Sequence, residues 1–199
     1  PLVTGTLTRS DIEHSNLICL GAALLGGYLV GHYAFFCIIA FTAIYYVYSI
    51  PPLQLKRFVG INSFLISLAM LSAVLAGFYT LSGRGDLGAF PREWIFLIIG
   101  IYTLLANVKD IKDIDGDRAV SVYTIPVLLG DVWGKRIIAL LSSLALALVP
   151  ILLQQPILFT PWLPFSLLAY YFITRKPFRE KPLFFLYFLY LLTCFLLFV

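Results

Sequence analysis

Ser15–Leu55 reads SNLICLGAALLGGYLVGHYAFFCIIAFTAIYYVYSIPPLQL, 41 residues without an Asp, Glu, Lys or Arg. A helix crosses the hydrocarbon core of a bilayer in about 20 apolar residues, so this run is too long for one span and suits two. Gly31-His32, close to its middle, predicts the tight turn between them. The same reasoning works outward along the chain. Phe58–Ser82 makes a third span and Trp94–Val108 a shorter fourth. Ile137–Thr174 is another uncharged run, of 38 residues, with Gln154-Gln155-Pro156 as the turn between spans five and six. Pro182–Val199 is the seventh. The fold class that follows is all-α, a polytopic transmembrane helical bundle of seven spans.

Composition agrees. The chain is 61% hydrophobic and 12% charged, about half the charged fraction of a soluble domain, and its mean hydropathy is +0.95. A soluble enzyme is thereby excluded. The isoelectric point near 9.0 does not point to nucleic acid, because basic residues in so apolar a chain set topology. Alternating the loops across the membrane puts Arg9, Lys56, Arg57, Lys109, Lys112, Arg118, Lys135, Arg136, Arg175, Lys176, Arg179 and Lys181 on one face. Only Arg84 and Arg92 remain on the other, and the positive-inside rule makes the crowded face cytoplasmic. Eight of the ten acids share it. Cys19, Cys37 and Cys194 are scattered through apolar runs without metal-type spacing, and they read as small packing residues. His14 and His32 have no partner at catalytic spacing and read as interfacial.

Chemistry concentrates in Asn107-Val-Lys-Asp-Ile-Lys-Asp-Ile-Asp-Gly-Asp-Arg118, where Asp110, Asp113, Asp115 and Asp117 fall within eight residues. If the fourth span's helix continues through them, Asp110, Asp113 and Asp117 stand at i, i+3 and i+7 on one face, with Asp115 turned elsewhere. Two readings stay open from the residues alone. The three carboxylates hold a hard divalent cation such as Mg²⁺, or they form a solvated acidic loop interleaved with Lys109, Lys112 and Arg118. A second loop, Tyr48-Ser-Ile-Pro-Pro-Leu-Gln-Leu-Lys-Arg57, is followed closely by Asn62. Pro51-Pro52 is expected to stop a helix and keep the chain extended. Lys56 and Arg57 then stand at the membrane boundary, either to receive a phosphate group or as topology anchors.

Together the loops are more specific. Lys109–Arg118 followed by Thr124-Ile-Pro-Val-Leu-Leu-Gly130 closely resembles the second Asp-rich motif of the UbiA superfamily of intramembrane prenyltransferases. Tyr48–Arg57 resembles that family's loop two spans earlier, and Pro1–Thr8 is similar to the segment that follows its first Asp-rich motif. The resemblance covers essentially the whole chain. It implies a nine-helix fold of which these residues are helices three to nine. Residues 1–199 are then expected to be a single transmembrane prenyltransferase domain, truncated at its N-terminus, with the first Asp-rich motif on a missing segment or a separate chain. The absence of an initiator Met and of a signal peptide agrees with that expectation.

The activity implied is transfer of a prenyl group from a polyprenyl diphosphate to a small-molecule or lipid acceptor within the bilayer, with Mg²⁺ as cofactor and diphosphate released. Residue by residue, Asp113 and Asp117 match the family's catalytic Asp-x-x-x-Asp pair, and Asp110 matches a frequent third acid of the metal site. Asp115 falls at a variable position. Tyr48, Lys56, Arg57, Asn62, Lys109 and Arg118 are the implied substrate-binding residues. Family acceptors include hydroxybenzoate, homogentisate, naphthoate, chlorophyllide, haem and glycerol-phosphate lipids, and nothing in the sequence separates them. A CDP-alcohol phosphotransferase, the nearest enzymatic alternative, fits less well. Its motif needs Asp three residues before an Asp-Gly, where this chain has Lys112, and its distal Asp pair is missing. A polytopic carrier or assembly subunit would be expected to bury charge within its spans, whereas these acids lie at a helix end.

Overall fold

The computed structural model describes residues 6, 8–82 and 87–198. Arg84 and most of Pro1–Thr8 lie outside them. Seven long helices occupy the expected positions: α1 (Arg9–Val30), α2 (His32–Ser49), α3 (Ile61–Ser82), α4 (Arg92–Leu105), α6 (Ile125–Leu152), α7 (Phe159–Thr174) and α8 (Glu180–Phe198), with a short α5 (Ile114–Ala119) between α4 and α6. No strand occurs among the described residues. Six segments are long and apolar enough to cross a membrane, those of α2, α3, α4 with the turn after it, α6, α7 with the turn before it, and α8. The expected first span, α1, is the seventh long helix but misses that threshold. Glu13, His14 and Asn16 in its first half dilute an otherwise apolar segment.

The chain forms two compact units, Pro1–Ala43 with Ser72–Phe90, and Ile44–Leu71 with Pro91–Val199. In the first, Thr8 caps α1 reciprocally with Asp11: the Asp11 amide donates to Thr8 Oγ1 at 3.1 Å and the Thr8 amide to Asp11 Oδ2 at 2.8 Å. Gly31, at φ 149°, makes the turn into α2, a conformation open to glycine because it has no Cβ. Tyr33 stacks on Tyr79 at 5.2 Å and Phe78 meets Phe90 edge-on at 5.0 Å.

The second unit holds the main core. Ile138, Leu158, Ile173, Leu183 and Tyr190 are completely or nearly completely buried where α6, α7 and α8 pack together. Within the spans, side-chain hydrogen bonds join helices that have no hydrophobic drive to separate from lipid. Tyr190 Oη donates to the Leu146 carbonyl at 2.6 Å, Tyr187 Oη to Ser142 Oγ at 3.0 Å and Trp162 Nε1 to the Ser143 carbonyl at 3.0 Å.

Three local expectations change. Span five does not begin at Ile137. Its helix runs back to Ile125 through a kink at Gly130 (φ 78°, ψ 169°), because Lys135 is buried and its charge is met by Asp131 one turn earlier, at 2.7 Å. Lys176 joins the same carboxylate at 2.9 Å. Pro51-Pro52 ends α2 as expected, but the chain then turns instead of extending: the Gln54 amide donates back to the Ile50 carbonyl at 3.1 Å. Finally, the fourth span's helix does not continue through the acids. It tightens into a 3₁₀ segment over Ala106–Ile111 and breaks at Lys112, and Asp113 then stands at the N-cap of α5.

Candidate active site

The site lies wholly within the second unit and is assembled from the two loops. After the turn at Gln54, a short 3₁₀ segment, Leu55–Arg57, places Lys56 on the pocket side. The backbone joins this segment to the far end of the acidic stretch, the Tyr123 amide donating to the Arg57 carbonyl at 3.2 Å. Within the acidic stretch, the Asp113 amide donates to the Asp110 carbonyl at 3.3 Å and the Asp117 amide to the Asp113 carbonyl at 2.8 Å. The tighter 3₁₀ winding before the break and the α-turn after it bring the three carboxylates to one wall, although no single helix carries them.

They enclose a pocket of about 250 Å³ lined by Tyr48, Lys56, Asn62, Lys109, Asp110, Asp113 and Asp117, with Thr124 and Val122 closing it. Seven of the nine expected residues therefore meet in one place. Arg57 and Arg118 do not. Both are exposed and neither lines the pocket, because each follows by one residue a side chain that turns inward. Asp115 is exposed and also outside the lining, in line with its expected position off the shared face.

Electrostatically the pocket is unfinished. Three carboxylates face two ammonium groups, Lys56 and Lys109. Asp110 is 5% exposed and its Oδ2 is buried with no hydrogen-bond partner, a state that costs free energy unless something else meets it. Burial, and then the neighbouring charge of Asp113, push the Asp117 carboxyl above the ordinary range. The Thr124 hydroxyl, Lys109 and Lys56 partly offset this, although the Thr124 hydroxyl itself lacks hydrogen-bond geometry to any group. Both features favour an added cation. Among the described residues, no three His, Cys, Asp or Glu side chains converge closely enough to chelate an ion unaided. An ion here would complete its shell with water or a ligand's oxygens.

A second cavity, of about 460 Å³, adjoins the first. Its walls are nearly all apolar and follow one face of α4 through Trp94, Leu97, Ile98, Ile101, Tyr102 and Leu105, with Phe184 and Leu191 of α8 opposite. Lys109 lines both cavities. From Trp94 to Leu105 the helix advances about 17 Å at 1.5 Å per residue. The arrangement presents a chamber lined by both acids and ammonium groups at one end of an apolar groove, which suits an amphiphile with a strongly charged head.

The model of the UbiA prenyltransferase family matches residues 1–198. Among curated proteins, the chloroplastic chlorophyll synthase of Oryza sativa subsp. japonica is 26% identical over 141 residues, 65% of this chain and 36% of that protein. The chloroplastic homogentisate solanesyltransferase of Arabidopsis thaliana is 34% identical over 103 residues, 48% of this chain and 25% of that protein. The chain thus spans between about a quarter and just over a third of the length of the curated relatives it matches. A solved structure, of a UbiA homolog from Archaeoglobus fulgidus bound to Cd²⁺, superimposes with a TM-score of 0.66 over 98% of this chain and 75% of that one, at 19% identity.

Proposed function

This chain belongs to the UbiA prenyltransferase family, and on that premise we propose that it transfers a prenyl group from a polyprenyl diphosphate to an aromatic or lipid acceptor within the bilayer. The observation that carries this reading is the junction at Lys109 of an acidic pocket with an apolar groove. A diphosphate head belongs in the first and a prenyl tail in the second. The curated relatives include chlorophyll synthases, a homogentisate solanesyltransferase and a 2-acyl-4-prenylphloroglucinol 6-prenyltransferase, a range of names that leaves the acceptor to experiment.

In this reading the residues present fit Mg²⁺, since the orphaned Asp110 Oδ2 and the raised Asp117 carboxyl both gain from a nearby positive charge. Asp110, Asp113 and Asp117 would hold it. When bound, the ion supplies charge neutralisation for the departing diphosphate. Lys56 and Lys109 place ammonium groups where negative charge accumulates as the C1–oxygen bond breaks, a contribution that grows toward the transition state. The half-buried Tyr48 lines the pocket and the apolar groove meets it at Lys109, surroundings that would limit water at the C1 carbon. The concentration of basic residues on the same face as the acidic stretch supports a cytoplasmic position for this pocket.

The test is direct. The full-length protein in nanodiscs, given Mg²⁺, labelled polyprenyl diphosphates and a panel of phenolic, chlorophyllide and lipid acceptors, should release diphosphate and label one acceptor class. Chelation with EDTA should stop the reaction and Mg²⁺ should restore it. Diphosphate release from no member of the panel, with the protein monodisperse and folded, would reject the reading.

A further inference from the structure

Six cations and two acids stand on the segments 131–136 and 175–181, at the start of α6 and around the turn from α7 to α8. Both segments belong to the second unit, and their acids are already engaged. Asp131 meets Lys135 Nζ at 2.7 Å and Lys176 Nζ at 2.9 Å, and Glu180 meets Lys112 Nζ at 2.9 Å. Because one carboxylate holds a lysine from each segment, the start of α6 and the end of α7 are fastened together at one end of the bundle. Arg136 and Arg175 are the chain neighbours of those two lysines, and neither has a carboxylate partner among the described residues.

Each arginine lies over an aromatic ring instead. Arg136 Cζ is 4.9 Å from the centre of the Trp133 ring and Arg175 Cζ is 5.8 Å from that of Tyr171, within range of a cation–π contact. A guanidinium held over a ring by its face keeps the N–H fork at its edge available, in the geometry that pairs with a phosphate. The two rings are 62% and 58% exposed, as aromatic side chains at the level of lipid headgroups are. Away from this charged end the exposed surface turns apolar. Leu140 and Leu144 follow Trp133 at i+7 and i+11 on α6, and Leu167 and Leu163 precede Tyr171 by one and two turns on α7. The two helices are neighbours there, Trp162 Nε1 donating to the Ser143 carbonyl.

We propose that this end of α6 and α7 binds an anionic phospholipid, with Arg136 and Arg175 taking the headgroup phosphate and the two leucine stripes receiving acyl chains. Trp133 and Tyr171 are the positioning residues, holding the guanidinium groups at headgroup depth. Charge selects the occupant. The excess of cations over acids attracts a lipid of net negative charge and offers a zwitterionic one no comparable gain. The pairing also goes beyond a role in topology, which depends on how many Lys and Arg a loop carries and not on what each one stacks against. Lys135 and Lys176 are directed to Asp131, and the arginines beside them are left to an outside ligand. None of these residues lines the acidic pocket, so the site stands or falls apart from the prenyl-transfer reading.

The experiment titrates the full-length protein in detergent with dioleoylphosphatidylglycerol or dioleoylphosphatidylcholine, which share acyl chains and differ in net charge. Bound lipid is counted by native mass spectrometry. Wild type should bind one phosphatidylglycerol on the order of 10-fold more tightly than phosphatidylcholine, as two cations at a headgroup provide. Arg136→Gln combined with Arg175→Gln should remove most of that preference, with phosphatidylcholine binding and the unfolding midpoint unchanged. Arg136→Lys keeps the charge but loses the fork, and should weaken phosphatidylglycerol several-fold. Arg179→Gln removes an exposed charge from the same end that has no ring contact, and should stay within about twofold of wild type. If the double variant does not fold, Arg136→Lys against Arg179→Gln decides the matter. Equal affinity of wild type for the two lipids overturns the proposal, as does an unchanged Arg136→Lys. So does a loss in Arg179→Gln equal to that in Arg136→Gln, the mark of diffuse charge. Displacement of the lipid by millimolar inorganic phosphate would overturn the lipid assignment in favour of a free-phosphate site.

Discussion

Lys56 and Arg57 are adjacent and both cationic, yet only Lys56 lines the acidic pocket. Replacing each by Gln removes the same formal charge from the same face of the membrane, so any effect on topology should be equal. The effect on chemistry should not be. Lys56 is one of two ammonium groups facing three carboxylates, and without it the pocket becomes more negative by one charge at the place proposed for the diphosphate. A charge-assisted contact contributes roughly 1.5–3 kcal/mol, which at about 1.4 kcal/mol per decade is a 10- to 100-fold loss in rate. Lys56 is only half-buried, so solvent screening places the expectation toward the lower end, about 10-fold in kcat/KM. If the contact strengthens as charge builds on the leaving group, kcat should fall and not KM alone. Arg57→Gln, at an exposed position outside the pocket, should stay within about twofold of wild type. The assay is steady-state prenyl transfer by the full-length protein in nanodiscs at saturating Mg²⁺ and varied prenyl diphosphate. An unchanged kcat/KM for Lys56→Gln, or an equal loss for the two substitutions, would refute the reasoning and return both residues to topology anchors.

Among the acids, Asp113→Asn and Asp117→Asn should each lower Mg²⁺-dependent transfer on the order of 100-fold or more without lowering the thermal unfolding midpoint, because they remove charge from a pocket wall and not from a packed core. Asp115→Asn, exposed and outside the pocket, should transfer at close to the wild-type rate in the same assay. Gly134→Ala tests the kinked start of α6: its Cβ would lie 2.6 Å from the Pro126 Cα, a backbone atom that cannot yield. A loss of about 1–3 kcal/mol is expected from such overpacking, read as a lowered unfolding midpoint in detergent. Gly100→Ala, which meets only the mobile end of Leu148 at 2.6 Å, should be milder, and the opposite ranking would count against the Gly134–Pro126 packing.

What the sequence determined alone is whatever depends on local run length and local breakers. Uncharged runs of 41 and 38 residues must be divided, and the divisions fall where expected, at Gly31 and at Gln154–Pro156. The grouping of Asp110, Asp113 and Asp117 was legible too, but by a premise that failed: the spacing assumed one continuous helix, and a 3₁₀ segment, a break and a short helix achieve the same convergence. Only the tertiary structure decided which of two neighbouring cations turns inward. Lys56 and Arg57 have the same charge and location, and they are distinguished by a backbone bond from Tyr123, 66 residues away. It also decided that Lys135 is a buried partner of Asp131 and not merely a topology charge, and that the Asn62 amide turns its oxygen to the Ser63 backbone N–H. Periodicity and composition register hydrophobicity, which is additive along the chain. The direction of a single polar side chain is set instead by donors and acceptors that other segments bring to it, as when Asn107 turns its oxygen to the hydroxyl of Ser63, 44 residues earlier in the chain.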